Sequence, residues 1–147
     1  MSETIEVFLP RPAAEKLFAL QSSPEDKSLV LNVEQRLAKV AHSGGRFAMA
    51  PPAAVSVGGA PLLQVGELRA DIAIIARRLD YLVDEGETLD PETHVLFNAL
   101  AAHRLTLERE EEAVILQAAA DGVVIDRRPD ADPRAVLGLV EIEQAEA

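Results

Sequence analysis

Residues 65–122 constrain this chain more than any other stretch. Val65, Leu68, Ile72, Ile75, Leu79 and Leu82 follow one another at spacings of three and four. That pattern collects them on one narrow stripe of a helix, the a/d seam of a bundle or coiled coil. Leu96, Phe97, Leu100, Leu107, Val114, Ile115 and Ala118 form a second stripe further on. Gly86 ends the first run, and Asp90-Pro91-Glu92 opens the second. Asp90 can accept from an orphan amide, proline suits the first helical position, and Glu92 sits at the positive end of the helix dipole. A connection as short as residues 87–90 forces antiparallel neighbours. The sequence therefore predicts a helical hairpin over residues 67–122.

The two arms are expected to be unequal. At 1.5 Å per residue the second would run roughly 46 Å and the first roughly 28 Å. Beyond Glu110 the second arm would then overhang, and Val114, Ile115 and Ala118 would need another surface. Ile74 and Tyr81, seven residues apart, form a weaker stripe on another face of the first arm. These five residues are the candidate interaction surface. Between the two halves of the second arm, Glu108-Arg109-Glu110-Glu111-Glu112 reads as a solvated belt, since such a charge run normally faces water.

The flanking segments are smaller and mixed. Residues 3–9 alternate, with Ile5, Val7 and Leu9 on one face and Thr4, Glu6 and Phe8 on the other, the period of a half-buried strand. Pro10 and Pro12 stop it. A short helix is expected over 13–21, its apolar face made by Leu17, Phe18 and Leu20. Ser23-Pro24-Glu25-Asp26 then opens a second helix, with Ser23 as cap. Its stripe is Val30, Val33, Leu37 and Val40, widened by Leu29 and Ala41, and Gly44-Gly45 ends it. Residues 46–66 hold three prolines and three glycines among many apolar side chains, so a packed connection is expected rather than a continuous helix. Short strands suit 46–50 and 53–57. After the hairpin, 123–125 reads as a strand and 126–133 as a polar loop. Residues 136–142 suit a strand or a helix equally. The expected class is mostly α with minor β, in four segments. Residues 1–45 form a strand–helix–helix portion, 46–66 the packed connection and 67–122 the hairpin. Residues 123–147 form a tail packing on the N-terminal portion, so that the two ends make a small α/β part.

The spacing of strand 3–9 and helices 12–21 and 24–43 resembles that of ribbon-helix-helix regulators. The resemblance covers about the first 45 residues and implies a dimer that lays a two-stranded ribbon in the DNA major groove. Thr4, Glu6 and Phe8 would then face the bases, and none is the Arg, Lys, Asn or Gln donor that reads base edges. The net charge of −11 points the same way. Thirteen acidic and five basic side chains fall in 67–122 alone, a field that repels phosphate.

No chemistry stands out. There is no cysteine in the 147 residues, which removes thiol catalysis and thiolate metal sites. His42, His94 and His103 lack the spacing that aims two ligands from one helical face. His103, one turn from Leu107, reads as an interfacial histidine. Gly58-Gly59 lacks the Lys-Ser/Thr of a phosphate loop, and no Gly-x-Ser-x-Gly elbow occurs. No catalytic, cofactor or metal residue is assigned. No stretch is apolar enough to span a membrane, and residues 1–6 lack the basic start of a signal peptide, so the cytoplasm is the expected compartment. Arg outnumbers Lys eleven to three, the skew of a GC-rich bacterial or phage genome. The expected function is a non-enzymatic assembly component that homo-oligomerises, as a dimer or higher, through the hairpin. Other proteins of an assembly are further expected partners, membranes and nucleic acids are not. The alternatives are a small transcriptional regulator or antitoxin-like protein, or an acidic inhibitor that mimics DNA.

Overall fold

The computed structural model describes residues 7–53, 55, 59–84 and 90–142. In chain order the elements are α1 (Arg11–Gln21), a 3-10 turn (Pro24–Asp26), α2 (Lys27–His42), β1 (Arg46–Met49), α3 (Pro61–Asp84), α4 (Pro91–Ala120), α5 (Pro133–Val136) and β2 (Leu139–Ile142). The class is mostly α with minor β, as the periodicity predicts. The chain divides into two compact units, one from Met1–Pro52 with Asp126–Ala147 and the other from Ala53–Ile125.

The first unit is the α/β part made from both ends of the chain. Its sheet is one antiparallel pair, with Phe47 opposite Glu141 and Met49 opposite Leu139. The core lies under α2: Leu29, Val33 and Leu37 are buried with Ala13 and Leu20 of α1, Phe47 of β1 and Val136, Leu137 and Leu139 from the tail. The ambiguous 136–142 is both things in turn. Asp132 caps α5 by accepting from the Arg134 amide at 2.9 Å, and the chain reverses into β2 at Gly138, whose φ of +67° suits glycine. Asn32 Nδ2 donates to the Ala131 carbonyl at 2.9 Å and ties the tail to α2.

Several expectations are corrected here. Residues 3–6 lie outside the described residues, and Val7, Phe8 and Leu9 run as irregular chain rather than strand. Ser23 caps no helix: its hydroxyl donates to Glu25 Oε2 at 3.3 Å, and three residues of 3-10 geometry precede α2. Phe18 points to solvent, with Ala13 and Leu20 taking the inner face of α1. Of the strand expected over 53–57, Ala53 and Val55 are irregular and the other residues lie outside the described ones. Residues 123–125 are also irregular, although Ile125 is buried.

The second unit is the hairpin, α3 against α4. Two clusters show the antiparallel order. Ile72, Ile75 and Leu79 pack with Phe97, Leu100 and Leu107, and Val65 packs with Val114, Ile115 and Ala118. The expected connecting turn, 85–89, lies outside the described residues. Asp90 caps α4 by accepting from the Thr93 amide at 2.8 Å. That hydrogen bond holds the Asp90 carboxyl below its usual pKa. At the other end Gly122 (φ +86°) closes α4 with paired bonds, Gly122 N–H to Ala119 O and Val123 N–H to Ala118 O, a Schellman motif.

The expected overhang is the main correction. α3 starts at Pro61, with the Gln64 amide donating to Ala60 O, six residues before the expected boundary. Proline at the first position marks this start as it does α4. The signal was hidden because Ala60 offers no capping oxygen and Gly66 falls one turn inside. The arms are 24 and 30 residues long, about 36 and 45 Å. Val65, Val55 and Ile125 cover the end of α4, and Val114, Ile115 and Ala118 are buried in the chain's own core.

Candidate association surface

On α3 the seam residues Val65, Ile72, Ile75 and Leu79 are buried and Leu68 and Leu82 half-buried, all toward α4. At 3.6 residues per turn, Leu63, Ala70, Ile74 and Tyr81 fall within about 40° of one another on the opposite side. All four are exposed, Ile74 at 54% and Tyr81 at 67% of full accessibility. They form a row about 27 Å long. Exposed apolar side chains scattered singly are ordinary, whereas a row of them on one helix face marks a docking surface. Of the five residues expected to make an interaction surface, Ile74 and Tyr81 lie on this row. Val114, Ile115 and Ala118 do not, for the packing reason given above. Leu63 was missed because it fell in the expected connection. The spacing 63–70–74–81, at seven, four and seven, was the available signal. Leu96, expected on the seam of α4, is half exposed instead.

The acidic belt is not solvated. Glu108, Glu111 and Glu112 are 3%, 4% and 6% exposed. Buried carboxylates persist only with partners. Glu111 Oε2 meets Arg69 Nε of α3 at 2.6 Å, and Glu108 lies 3.9 Å from Arg104 Nε. Arg69 stands on α3 between the seam residues Leu68 and Ile72, one stripe over, so the pair spans the hairpin. Charge on the sequence does not reveal this, because a five-residue charge run has the same composition whether it faces water or arginines. Among the described residues no group of three or more Asp, Glu or His is placed to hold a metal ion. Glu111 therefore reads as an interhelical cross-link of the fold, while Glu108 is placed beside an arginine of its own helix.

The histidines sit apart from one another. His42 is exposed at the end of α2, and His103 is exposed rather than interfacial. His94 is exposed in the first turn of α4, its Nδ1 3.3 Å from Asn98 Nδ2. Among the described residues none of the three forms an ion pair with a carboxylate.

The first unit holds a cavity of about 370 Å³ lined by Arg36, Lys39, Phe47, Asp132, Arg134 and Glu141 among others. Its charges are largely engaged with each other. Arg134 grips Asp132 with two bonds, Nε to Oδ1 at 3.0 Å and Nη2 to Oδ2 at 2.8 Å. Arg36 stands 3.8 Å from the same carboxylate, and Arg134 3.7 Å from Glu141. Burial pushes the Asp132 carboxyl up, but the Arg134 hydrogen bonds and charge, with Arg36 behind them, outweigh it and hold the group below its ordinary value of 3.8. A depressed folded-state pKa contributes stability above the unfolded value that is lost as pH falls through the folded one. Asp132→Asn is therefore expected to be less stable than wild type at pH 7, with the gap closing in acid below the ordinary aspartate value. Urea midpoints of both proteins from pH 7 down to pH 2 measure it, and a gap that stays constant with pH would contradict the assignment.

Compared with protein-family models, with curated proteins and with solved structures, the chain matches none.

Proposed function

We propose that this protein is a non-enzymatic association module, a component of an assembly that homo-oligomerises through the hairpin. One observation carries the reading: Ile74 and Tyr81 stand exposed on the side of α3 that faces away from α4. A two-helix hairpin has only one internal seam, so a second apolar row on it finds no use within the unit. Pairing two hairpins through this side sets α3 of one copy against α3 of the other, and each such row is then buried between them. Burying an isoleucine and a tyrosine from each chain supplies several kcal/mol of the order of about 2 per side chain, enough to matter once the association entropy is met.

Equilibrium sedimentation across the micromolar range is expected to show reversible self-association. Ile74→Glu and Tyr81→Glu should each move the protein to monomer with an unchanged helical circular-dichroism spectrum, because both side chains are solvent-facing in the single chain. Tyr81 is also the only tyrosine of a chain without tryptophan, so its emission should change with protein concentration as the ring enters an interface. A wild-type protein that stays monomeric throughout, with concentration-independent tyrosine emission, would overturn the reading.

A further inference from the structure

We infer that the second copy docks antiparallel on α3, about a two-fold axis level with residue 72, so that Leu63 of each chain meets Tyr81 of the other and Glu67 meets Arg78. The inference rests on the association reading above and adds its orientation and register.

The argument is the order of residues along one exposed face. The apolar row runs Leu63, Ala70, Ile74, Tyr81. Its ends are equidistant from position 72, and so are its two middle members. Reversing the helix about that point therefore lays the row on itself: Leu63 on Tyr81 and Ala70 on Ile74. A small side chain then faces a large one at the centre, which lets the two backbones approach, and the pattern is isologous, as a two-fold dimer requires. A parallel pairing would instead stack Ala70 on Ala70 and Tyr81 on Tyr81, leaving a gap at one level and crowding at another.

Charge separates the two orientations more sharply. Along the flank of the row the acids come first, Glu67 and Asp71, and the base later, Arg78. Glu67 and Arg78 lie on the same side of the row, about 40° and 60° from its centre. Both are exposed, and neither enters an ion pair among the described residues. In an antiparallel pair related by a two-fold axis, the same flank of each helix adjoins the same flank of its partner. Glu67 of one copy then stands within one residue of the level of Arg78 of the other, a step of about 1.5 Å that both long side chains span, twice per dimer. Parallel two-fold pairing joins opposite flanks instead, which would place Arg78 against Arg77 and leave Glu67 beside Gly66 without a counter-charge. Rim charges of this kind select orientation, while the apolar row supplies the affinity. Arg77, on the other flank, comes within one residue of the level of Gly66, which has open space beside it.

The chain has no cysteine of its own, so introduced ones report the register directly. Glu67→Cys and Arg78→Cys proteins are prepared separately, mixed and oxidised. A covalent mixed dimer is expected, with little of either self-linked dimer. In parallel, Glu67→Arg and Arg78→Glu should each weaken self-association by about tenfold at low salt, and the double variant should return close to wild type. Self-linked dimers in preference to the mixed one, or single charge variants that associate like wild type, would overturn the antiparallel register while leaving the association reading intact. A wild-type protein that is monomeric in sedimentation would overturn both. All four variants change solvent-exposed positions, and unchanged helical content in each keeps a failure to associate from being a failure to fold.

Discussion

Leu139→Ala is expected to lower the unfolding free energy of the first unit by about 3 kcal/mol. Leu139 has no exposed surface and sits where three kinds of element converge. It opens β2 opposite Met49 of β1, follows the Gly138 reversal, and shares a cluster with Val33 and Leu37 of α2 and with Val136 and Leu137. Removing three carbons forfeits their transfer free energy and leaves a void. The void closes poorly because a helix, a strand and a turn fix its walls independently. For a unit of this size the melting temperature should fall by roughly 15 °C. Val140→Ala is the control, since its side chain is on the exposed side of the same strand, and it should change stability by only about 0.5 kcal/mol. Thermal and urea melts followed by circular dichroism read both. Equal effects from the two variants would show that β2 does not present the face described here.

Arg69→Met should destabilise the hairpin by about 3 kcal/mol, with the double variant Arg69→Met/Glu111→Leu recovering most of the loss. The Glu111 side chain is 5% exposed and the Arg69 side chain 30%. Removing the arginine strands a carboxylate in a place that water scarcely reaches, whereas removing the carboxylate leaves a guanidinium that still touches solvent. The loss should therefore be asymmetric, larger for Arg69→Met than for Glu111→Leu. The recovery in the double variant follows because desolvating two charges costs about as much as their attraction returns, and an apolar pair of similar volume has no such cost. Hydrogen exchange of the α3 and α4 amides, or urea melts of the four proteins as a double-mutant cycle, measures the coupling. Additive losses would mean that the 2.6 Å contact carries no energy of its own.

These two experiments probe the two places where periodicity alone was least informative. The seam of α3 was legible because spacing of three and four leaves little choice about which side of a helix is apolar, and the side chains it names do face α4. The start of α4 was legible at Asp90-Pro91, where a carboxylate precedes proline, whereas the same pair at Asp132-Pro133 lay in an expected polar loop with helix and strand equally open after it. The start of α3 was not. Ala60-Pro61 carries half of that signal, and Gly66 argues locally against a helix that packing nonetheless continues through. The six residues so misplaced accounted for about half of the expected overhang, and Val55 and Ile125 cover the rest of Val114, Ile115 and Ala118. Of the five residues expected at the surface, Ile74 and Tyr81 remain on an outward face, joined by the unforeseen Leu63.

By itself the sequence determined the helical hairpin, its seam, and the absence of any motif for thiol, phosphate-loop or serine-elbow chemistry. Those are matters of local spacing, capping and residue type, which a single segment decides. The tertiary structure decided what covers the end of α4, that Glu108, Glu111 and Glu112 are buried, and that Glu108 and Glu111 lie beside arginines. It also decided that Asp132 joins α2, α5 and β2 through Arg36, Arg134 and Glu141. The Arg69–Glu111 pair joins residues 42 apart along the chain, and Arg36 reaches Asp132 from α2. A charge has the same sequence signature whether its counter-charge is water or an arginine, so only the folded arrangement could distinguish them.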